Sequence, residues 1–477
     1  MQRLGLTCLV AIVIAVPLAA VEPPPNVVVV LVDDLGWMDL GCQGSDFYRT
    51  PNIDRLAATG MRFTDGYASC AVCSPTRAAL MTGRSPARLG ITDWIRAEFQ
   101  LSARQWPNVR NKFGYHRPAG ADRELLTPVN ELLLPHSEIT IAEMLKPLGY
   151  TSAYIGKWHL GGAGHLPVDQ GFDENYGGWD YGQPPSYFDP YVDMPRLPMG
   201  IPTLTPRDPG EYLTDREADE AVEFIQRNKE APFLLYMANY AVHTPIQAKS
   251  DLVAKYERLR DGEGQDDPVY AAMVHSVDDA VGRILATLDQ TGLADRTIIV
   301  FTGDNGGLDR GGRPTENAPL RSGKGFAYEG GLRTPWIVRW PRVTNPGSVS
   351  NQPIASIDLL PTIAAAVGTR PPADRAVDGI DLGPALRGDP LPGRALVWHF
   401  PHYRHGPGSD PYSVIRRGDW KLIRFYDPRK TELYNLAVDL GEQNDLASLE
   451  PDMVERLELA LDEELREAGA RLPLASQ

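Results

Sequence analysis

A mostly parallel α/β sheet flanked by helices, followed by a smaller C-terminal α+β unit with an antiparallel sheet, is the fold class this sequence predicts. Three observations predict it. Apolar runs of strand length alternate with helix-length stretches whose apolar residues share one face, the pattern of β-α-β units with right-handed crossovers. Four of those strands lead into charged or ligand-type residues. From about Leu391 the pattern changes to short strands joined by a tight turn.

Asn26 opens the first strand, Val27 to Val32, a continuous apolar run of the kind buried on both faces, and Asp33-Asp34 end it. Ser74 before Pro75 reads as a helix N-cap with proline at the first helical position. A helix after Ser137 carries Ile141, Leu145 and Leu148 on one side, with Gly149 as its C-terminal cap. The strand Thr151 to Ile155 runs into Gly156-Lys157-Trp158-His159. Thr214 with Glu217 three residues on fits a capping box, and Ala218, Ala221, Val222 and Ile225 share a face of the helix that follows. The strand Phe233 to Met237 leads to His243-Thr244-Pro245. A longer helix with Val274, Val277, Val281, Ile284, Leu285 and Leu288 precedes the strand Thr297 to Phe301, which runs into Gly303-Asp304-Asn305-Gly306. The stretches 93–136 and 181–209 are proline-rich and irregular, and loops of that length are usually functional. In the C-terminal unit, Ser413 to Arg417 and Trp420 to Tyr426 flank a Gly418-Asp419 turn. Glu432 to Leu436 adds a strand, and Val454 to Ala468 a closing helix. The expected division is a leader at 1–20, a main domain at 24–388 and a C-terminal unit at 389–477.

The 477 residues are 43% hydrophobic and 23% charged, enough to bury a sizeable core, which excludes wholesale disorder and a coiled coil. A net charge of −15, with no basic run, argues against nucleic acid or anionic lipid as partner. Arg3, the apolar run Leu4 to Val16 and Leu18-Ala19-Ala20 form a signal-peptide pattern too short to span a bilayer. A secreted or periplasmic protein without integral membrane association is expected. Cys8 leaves with the leader, and Cys42, Cys70 and Cys73 remain. A Cys42–Cys70 bridge is expected, with Cys73 spared.

In parallel sheets ligands bind beyond the carboxyl ends of the strands. Asp33/Asp34, Lys157/His159, His243 and Asp304/Asn305 all follow such ends. Cys73 stands just before a helix N-terminus with Arg77 one turn along, a place for a tetrahedral oxyanion beside a reactive side chain. A buried structural cysteine is the competing reading. Asp33, Asp34, Asp304 and Asn305 offer only oxygen donors, which suits a hard cation; turn formation is the competing reading. No Cys/His pair has zinc-ligand spacing.

Cys73-Ser74-Pro75-Thr76-Arg77, with Thr82-Gly83-Arg84 downstream, resembles the signature of the formylglycine-dependent, arylsulfatase-like sulfatases of the alkaline phosphatase superfamily. Asp33-Asp34, Gly156 to Leu160, His243 to Pro245, Asp304 to Gly306 and Gly323 to Gly325 resemble further blocks of that family, in order. The resemblance spans about Pro25 to Pro341, and Thr76 departs from the family's more frequent Ser or Ala. It implies an alkaline-phosphatase-like fold and hydrolysis of sulfate monoesters, here of a sulfated carbohydrate. It implies oxidation of Cys73 to Cα-formylglycine by a formylglycine-generating (sulfatase-maturating) enzyme, the hydrated aldehyde then attacking sulfur. It implies one cation, Ca²⁺ before Mg²⁺, on Asp33, Asp34, Cys73, Asp304 and Asn305. Arg77, Lys157 and Lys324 would hold sulfate oxygens, His159 would bond the formylglycine, and His243 would protonate the leaving oxygen. Two other functions stay open: a phosphonate monoester or phosphodiester hydrolase of the same superfamily, and a non-catalytic glycan-binding relative. Trp94, Arg96, His116 and Arg117 in the first long loop, and His399, His402, Arg404 and His405 in the C-terminal unit, are candidates for sugar or leaving-group subsites. Polar loops are the competing reading for both groups.

Overall fold

The computed structural model, which describes residues 23–475 apart from 98–113, 119–122, 194–198, 260–263, 405 and 407, forms strand β1 at Asn26–Val32 with every residue buried. The leader 1–20, Cys8 and His405 lie outside the described residues. Around β1 an eight-stranded sheet assembles from β2 (Met61–Phe63), β3 (Thr151–Gly156), β4 (Glu174–Tyr176), β5 (Phe233–Asn239), β6 (Thr297–Gly303), β7 (Trp336–Arg339) and β8 (Ser348–Ser350). The strand order is β8-β2-β7-β6-β1-β5-β3-β4. The central pairs β1/β5, β1/β6 and β3/β5 are parallel, and β7 runs antiparallel to both neighbours.

Alternation along β1 sends its side chains into two cores. The helices α1 (Cys73–Thr82), α2 (Ile141–Leu145), α3 (Leu213–Arg227) and α4 (Pro268–Gln290) flank the sheet, and Val28, Val30 and Val32 pack with α3 and α4. Val27, Val29 and Leu31 pack on the opposite face with α1, α2 and α5 (Leu359–Ala366). Each such side chain contributes roughly 1.5–3 kcal/mol by leaving water, so β1 is the anchor of both layers.

The C-terminal unit is an antiparallel sheet of β9 (Ala395–Phe400), β10 (Tyr412–Arg417), β11 (Trp420–Tyr426) and β12 (Arg429–Asn435). Leu457, Leu461 and Leu465 of α6 (Pro451–Glu467) cover one face. The other face packs Val414, Ile423 and Tyr434 against Tyr67, Cys70, Val72 and Ala327 of the main body.

Four expectations need correction. Thr214 and Glu217 form no capping box: α3 starts at Leu213 with no side-chain cap, and Glu217 instead accepts from Asn239 Nδ2 (2.7 Å) and the Tyr240 N–H (3.3 Å). The helix placed after Ser137 begins at Ile141, where Thr140 and Glu143 make the real box, and it tightens to a 3₁₀ turn before Gly149. Ser74 is not an N-cap, because α1 begins at Cys73. Cys42 and Cys70 are free thiols. Cys42 packs against the core on one side of the main sheet, while Cys70 lies under the C-terminal sheet, so the fold holds them in separate layers.

Candidate active site

Strand register brings the chemistry to one edge. Val32 pairs with Asn239 and Gly303, and Ala238 with Gly156, so Asp33, Tyr240 and Asp304 leave the sheet at one level and Lys157 one residue earlier on the same edge. Backbone bonds fix these exits: the Asp33 N–H donates to Ala241 O (2.9 Å) and the Lys157 N–H to Ala238 O (2.7 Å). Gly156 must be glycine, since φ is 92° and a Cβ would lie 2.1 Å from Ala238 O. Asp34 and His159 adopt left-handed φ values of 60° and 59°. That conformation is unfavourable for a side chain and gathers at functional sites.

Helix α1 points its first residue, Cys73, at this edge. Cys73 Sγ, a carboxylate oxygen of Asp33 and a ring nitrogen of His243 lie within 4.8 Å of one another. Ser74 Oγ donates to His159 O (3.0 Å) and accepts from the Ile95 N–H (2.9 Å), tying the helix start to two loops. One turn on, Arg77 is 1% exposed. Its Nε donates to Asp304 Oδ2 (2.8 Å), one terminal nitrogen donates to Lys157 O (2.5 Å), and the other lies 3.8 Å from Asp33 Oδ1. Lys157 Nζ meets Asp33 Oδ2 at 2.5 Å, and Lys324 Nζ meets Asp34 Oδ1 at 2.6 Å. His243 Nε2 is 3.6 Å from Asp34 Oδ2.

Oxygen atoms of Asp33, Asp34 and Asp304 converge within 4.8 Å, all three residues buried. Burial and then the Asp304 charge push Asp33 well above the ordinary carboxylate range. Burial opposes ionisation of Asp34 too, yet Lys324 and His243 hold it far below that range. Asp33 Oδ1, Asp34 Oδ2 and Asn305 Oδ1 are buried without a hydrogen-bond partner. Orphaned acceptors are costly inside a protein. Three crowded carboxylates, with Asn305 joined to Asp34 Oδ1 through its Nδ2 (2.8 Å) and its own oxygen unpartnered, fit a hard divalent cation, whose charge offsets the carboxylates' repulsion.

The two histidines differ. His159 Nε2 donates to Ile95 O (2.6 Å), which leaves Nδ1 as a buried acceptor with no partner. Burial, then Lys157, holds its pKa well below 6.5, so the ring is neutral. His243 Nδ1 faces Thr244 O at 3.0 Å, and burial followed by Lys324 pushes its pKa down to about 3. Burial raises the Cys73 thiol, with Lys157 and Lys324 acting the other way. Cys73 is therefore a thiol at neutral pH, a poor nucleophile as it stands.

The predicted set Asp33, Asp34, Cys73, Arg77, Lys157, His159, His243, Asp304, Asn305 and Lys324 is thus one cluster. The subsite candidates divide. Trp94 and Arg96 stack at 5.5 Å and flank Ile95, the residue that binds His159. Arg404 lies against Gly325, next to Lys324. His399 spends both ring nitrogens on Ser413 Oγ (2.7 Å) and Arg471 O (3.1 Å), and His402 bonds Thr92 Oγ1 (2.7 Å). Both are buried, with pKa values lowered to about 4 and about 3. They are internal hydrogen-bonding groups of the C-terminal unit. His116 sits near Thr127 Oγ1 (3.3 Å), and Arg117 is exposed. Sequence reasoning missed the Ile95 carbonyl, which carries no side-chain signal, and Asp93, which burial pushes up to about 6.

Residues 25–369 match the family described as Sulfatase, and residues 322–470 the family described as N-sulphoglucosamine sulphohydrolase, C-terminal. N-acetylgalactosamine-6-sulfatase of Mus musculus is 35% identical over 408 residues, covering 80% of this chain and 70% of that protein. Arylsulfatase A of Homo sapiens is 35% identical over 410 residues, covering 80% and 72%. The crystal structure of Ps i-CgsB in complex with k-i-k-neocarrahexaose superposes with a TM-score of 0.74 at 30% identity, covering 91% of this chain and 92% of that one.

Proposed function

The chain belongs to the sulfatase family and is a sulfuric ester hydrolase, and we propose that it removes sulfate from a sulfated carbohydrate with formylglycine at position 73 and Ca²⁺ on the acidic cluster. One observation carries this reading: the Cys73 side chain shares a 4.8 Å neighbourhood with Asp33 and His243, inside a ring of Arg77, Lys157 and Lys324. Asp33, Asp34, Asp304 and Asn305 would hold the cation. When present, the cation draws charge from a sulfate oxygen and the oxidised residue 73 supplies the attacking hydroxyl.

The chain's own residues do the rest. Lys157, Lys324 and Arg77 form a preorganised cationic wall for the equatorial oxygens of an in-line displacement. The carboxylates Asp33, Asp34 and Asp304 fix these cations by ion pairs and offset their mutual repulsion. His159, with its Nδ1 lone pair free, accepts a proton from residue 73. His243 has Nε2 at the mouth of the cluster and delivers a proton to the departing alcohol; the incoming ester's negative charge favours protonation of a ring that is neutral without it. Trp94, Arg96 and Arg404, beside His159 and Lys324, contact the sugar. Relatives named N-acetylgalactosamine-6-sulfatase and a similar structure in complex with k-i-k-neocarrahexaose support a glycan substrate. The leader pattern supports export, and a sulfatase-maturating enzyme would act on Cys73 before the protein folds, since the finished fold buries that residue. Residues 24–388 form the catalytic domain in this reading and 389–477 the C-terminal unit. Among the described residues no helix is long and apolar enough to cross a membrane.

The test is Cys73→Ala together with mass spectrometry of residue 73. The variant should fold and lose turnover of p-nitrophenyl sulfate, and the active native protein should carry the aldehyde. Activity in Cys73→Ala rejects the nucleophile. Faster turnover of phosphonate or phosphate esters than of sulfates favours the superfamily alternative.

A further inference from the structure

Resting on the assignment of Lys324 to the sulfate, we propose that the C-terminal unit positions that lysine: Lys421, shared by Glu329 and Glu442, and Ser409 clamp the 321–330 strap that carries it. Lys421 Nζ lies 2.8 Å from Glu329 Oε1 and 2.7 Å from Glu442 Oε1, and all three residues are fully buried. The Glu329 N–H donates to Glu442 Oε2 (2.7 Å), so Glu442 grips the strap's backbone as well as its charge. Arg321, at the strap's start, donates to Glu442 O (2.9 Å) and Tyr434 OH (3.1 Å). In its centre the Ala327 N–H donates to Ser409 Oγ (3.0 Å), and the Ser409 N–H donates to Gly325 O (3.0 Å). Arg404 closes over Gly325, where φ is 89° and a Cβ would lie 2.7 Å from the guanidinium carbon.

The main body holds the strap from the other side. The Lys324 N–H donates to Gly307 O (2.9 Å), two residues past Asn305, and the Gly325 N–H donates to Ala71 O (2.8 Å), two residues before Cys73. The strap is therefore pinned between the catalytic edge and the C-terminal sheet. Lysine is a point charge on a flexible stem, so the reach of its ammonium depends on where its backbone is held. A displacement of about 1 Å in a charge-positioning group can cost about 100-fold in rate. Removing the Lys421 ammonium would leave Glu442 without its cation while Glu329 keeps only Arg333 Nε (2.8 Å), a residue of the main body, so the charge that ties the strap to β11 and the 442 loop is lost. Lys421, Glu442 and Ser409 are positioning residues; none touches the cluster itself.

A double-mutant cycle on kcat/KM for p-nitrophenyl sulfate tests this. Lys421→Met should lower kcat/KM about tenfold in the native enzyme and by less than about twofold in the Lys324→Ala background, because coupled residues are non-additive. Its effect on the melting temperature should be the same in both backgrounds. Ser409→Ala removes a single hydrogen bond and decides the matter if Lys421→Met does not fold: a loss of about threefold that vanishes in the Lys324→Ala background is expected. Equal losses in both backgrounds overturn the clamp while leaving the sulfatase reading intact. A Lys324→Ala enzyme with native kcat/KM overturns the clamp and the sulfate role of Lys324 together.

Discussion

Replacing Glu217 by glutamine should make the protein's stability less sensitive to alkali, by an amount the structure specifies. Glu217 is buried beneath the exit of β5, where its two oxygens accept from Asn239 Nδ2 and the Tyr240 N–H. Burial raises its pKa from 4.5 to about 8, with Asn239 and Tyr240 acting against the rise. Below pH 4.5 the folded and unfolded chains both hold the proton. Between 4.5 and about 8 the folded chain keeps a proton that the unfolded chain has released, so stability falls as pH rises. At about 1.4 kcal/mol per pH unit, the full interval is worth roughly 5 kcal/mol, and the step from pH 5 to pH 8 about 4 kcal/mol. Glu217→Gln keeps the shape and has no proton to lose. Urea unfolding of both proteins at pH 5, 6.5 and 8 should show the native protein losing about 4 kcal/mol relative to the variant across that range. A difference constant to within about 1 kcal/mol would refute the reasoning, and would mean that Glu217 is ionised inside the fold.

Other perturbations address the site directly. Arg77→Lys keeps a charge but loses the fork that joins Asp304 to the Lys157 carbonyl, and should lower kcat/KM for an aryl sulfate about 100-fold; a value within threefold of the native enzyme contradicts its role. His243→Ala should slow an alkyl sulfate far more than p-nitrophenyl sulfate, by about 100-fold or more for the former, since a good leaving group needs little protonation. Asp34→Asn should weaken calcium binding at least about tenfold by calorimetry, because it removes charge from a ligand that already serves Lys324 and Asn305; unchanged affinity places the cation elsewhere. Alkylation in denaturant without reductant should label Cys42 and Cys70 completely, as both are free thiols, and protection of the pair would show a bridge.

Several of these residues also show where local patterns mislead. Thr214 and Glu217 have capping-box spacing, yet the acid is taken by Asn239 and Tyr240, which sequence places more than twenty residues away. Burying a carboxyl at the end of β5 requires partners, and the helix end, itself buried, gives its first N–H, that of Leu213, to Tyr187 O (2.8 Å). Ser74 precedes a proline and so resembles an N-cap, but its hydroxyl is more useful linking His159 to Ile95. In the sequence His399 and His402 are candidates for a sugar or leaving-group subsite, with a polar loop as the competing reading, because histidine is rare and chemically able. Once β9 pairs with β10 and the 471 segment closes over them, Ser413 and Arg471 occupy both nitrogens of His399, and Thr92 one of His402.

The sequence alone determined the four central strands β1, β3, β5 and β6, their parallel arrangement and the charged residues at their ends, because hydrophobic periodicity and strand-terminal chemistry are local properties of the chain; the short flanking strands β2, β4, β7 and β8 carry no such local signal. It also carried the family signature around Cys73. Only the tertiary structure decided which carboxylate oxygens face each other, which histidine nitrogen stays free, and that the C-terminal sheet holds the strap bearing Lys324. Those are matters of ångström-scale distance and of burial between segments remote in the chain, and Coulomb energy and desolvation respond to distance and burial, not to position in a sequence.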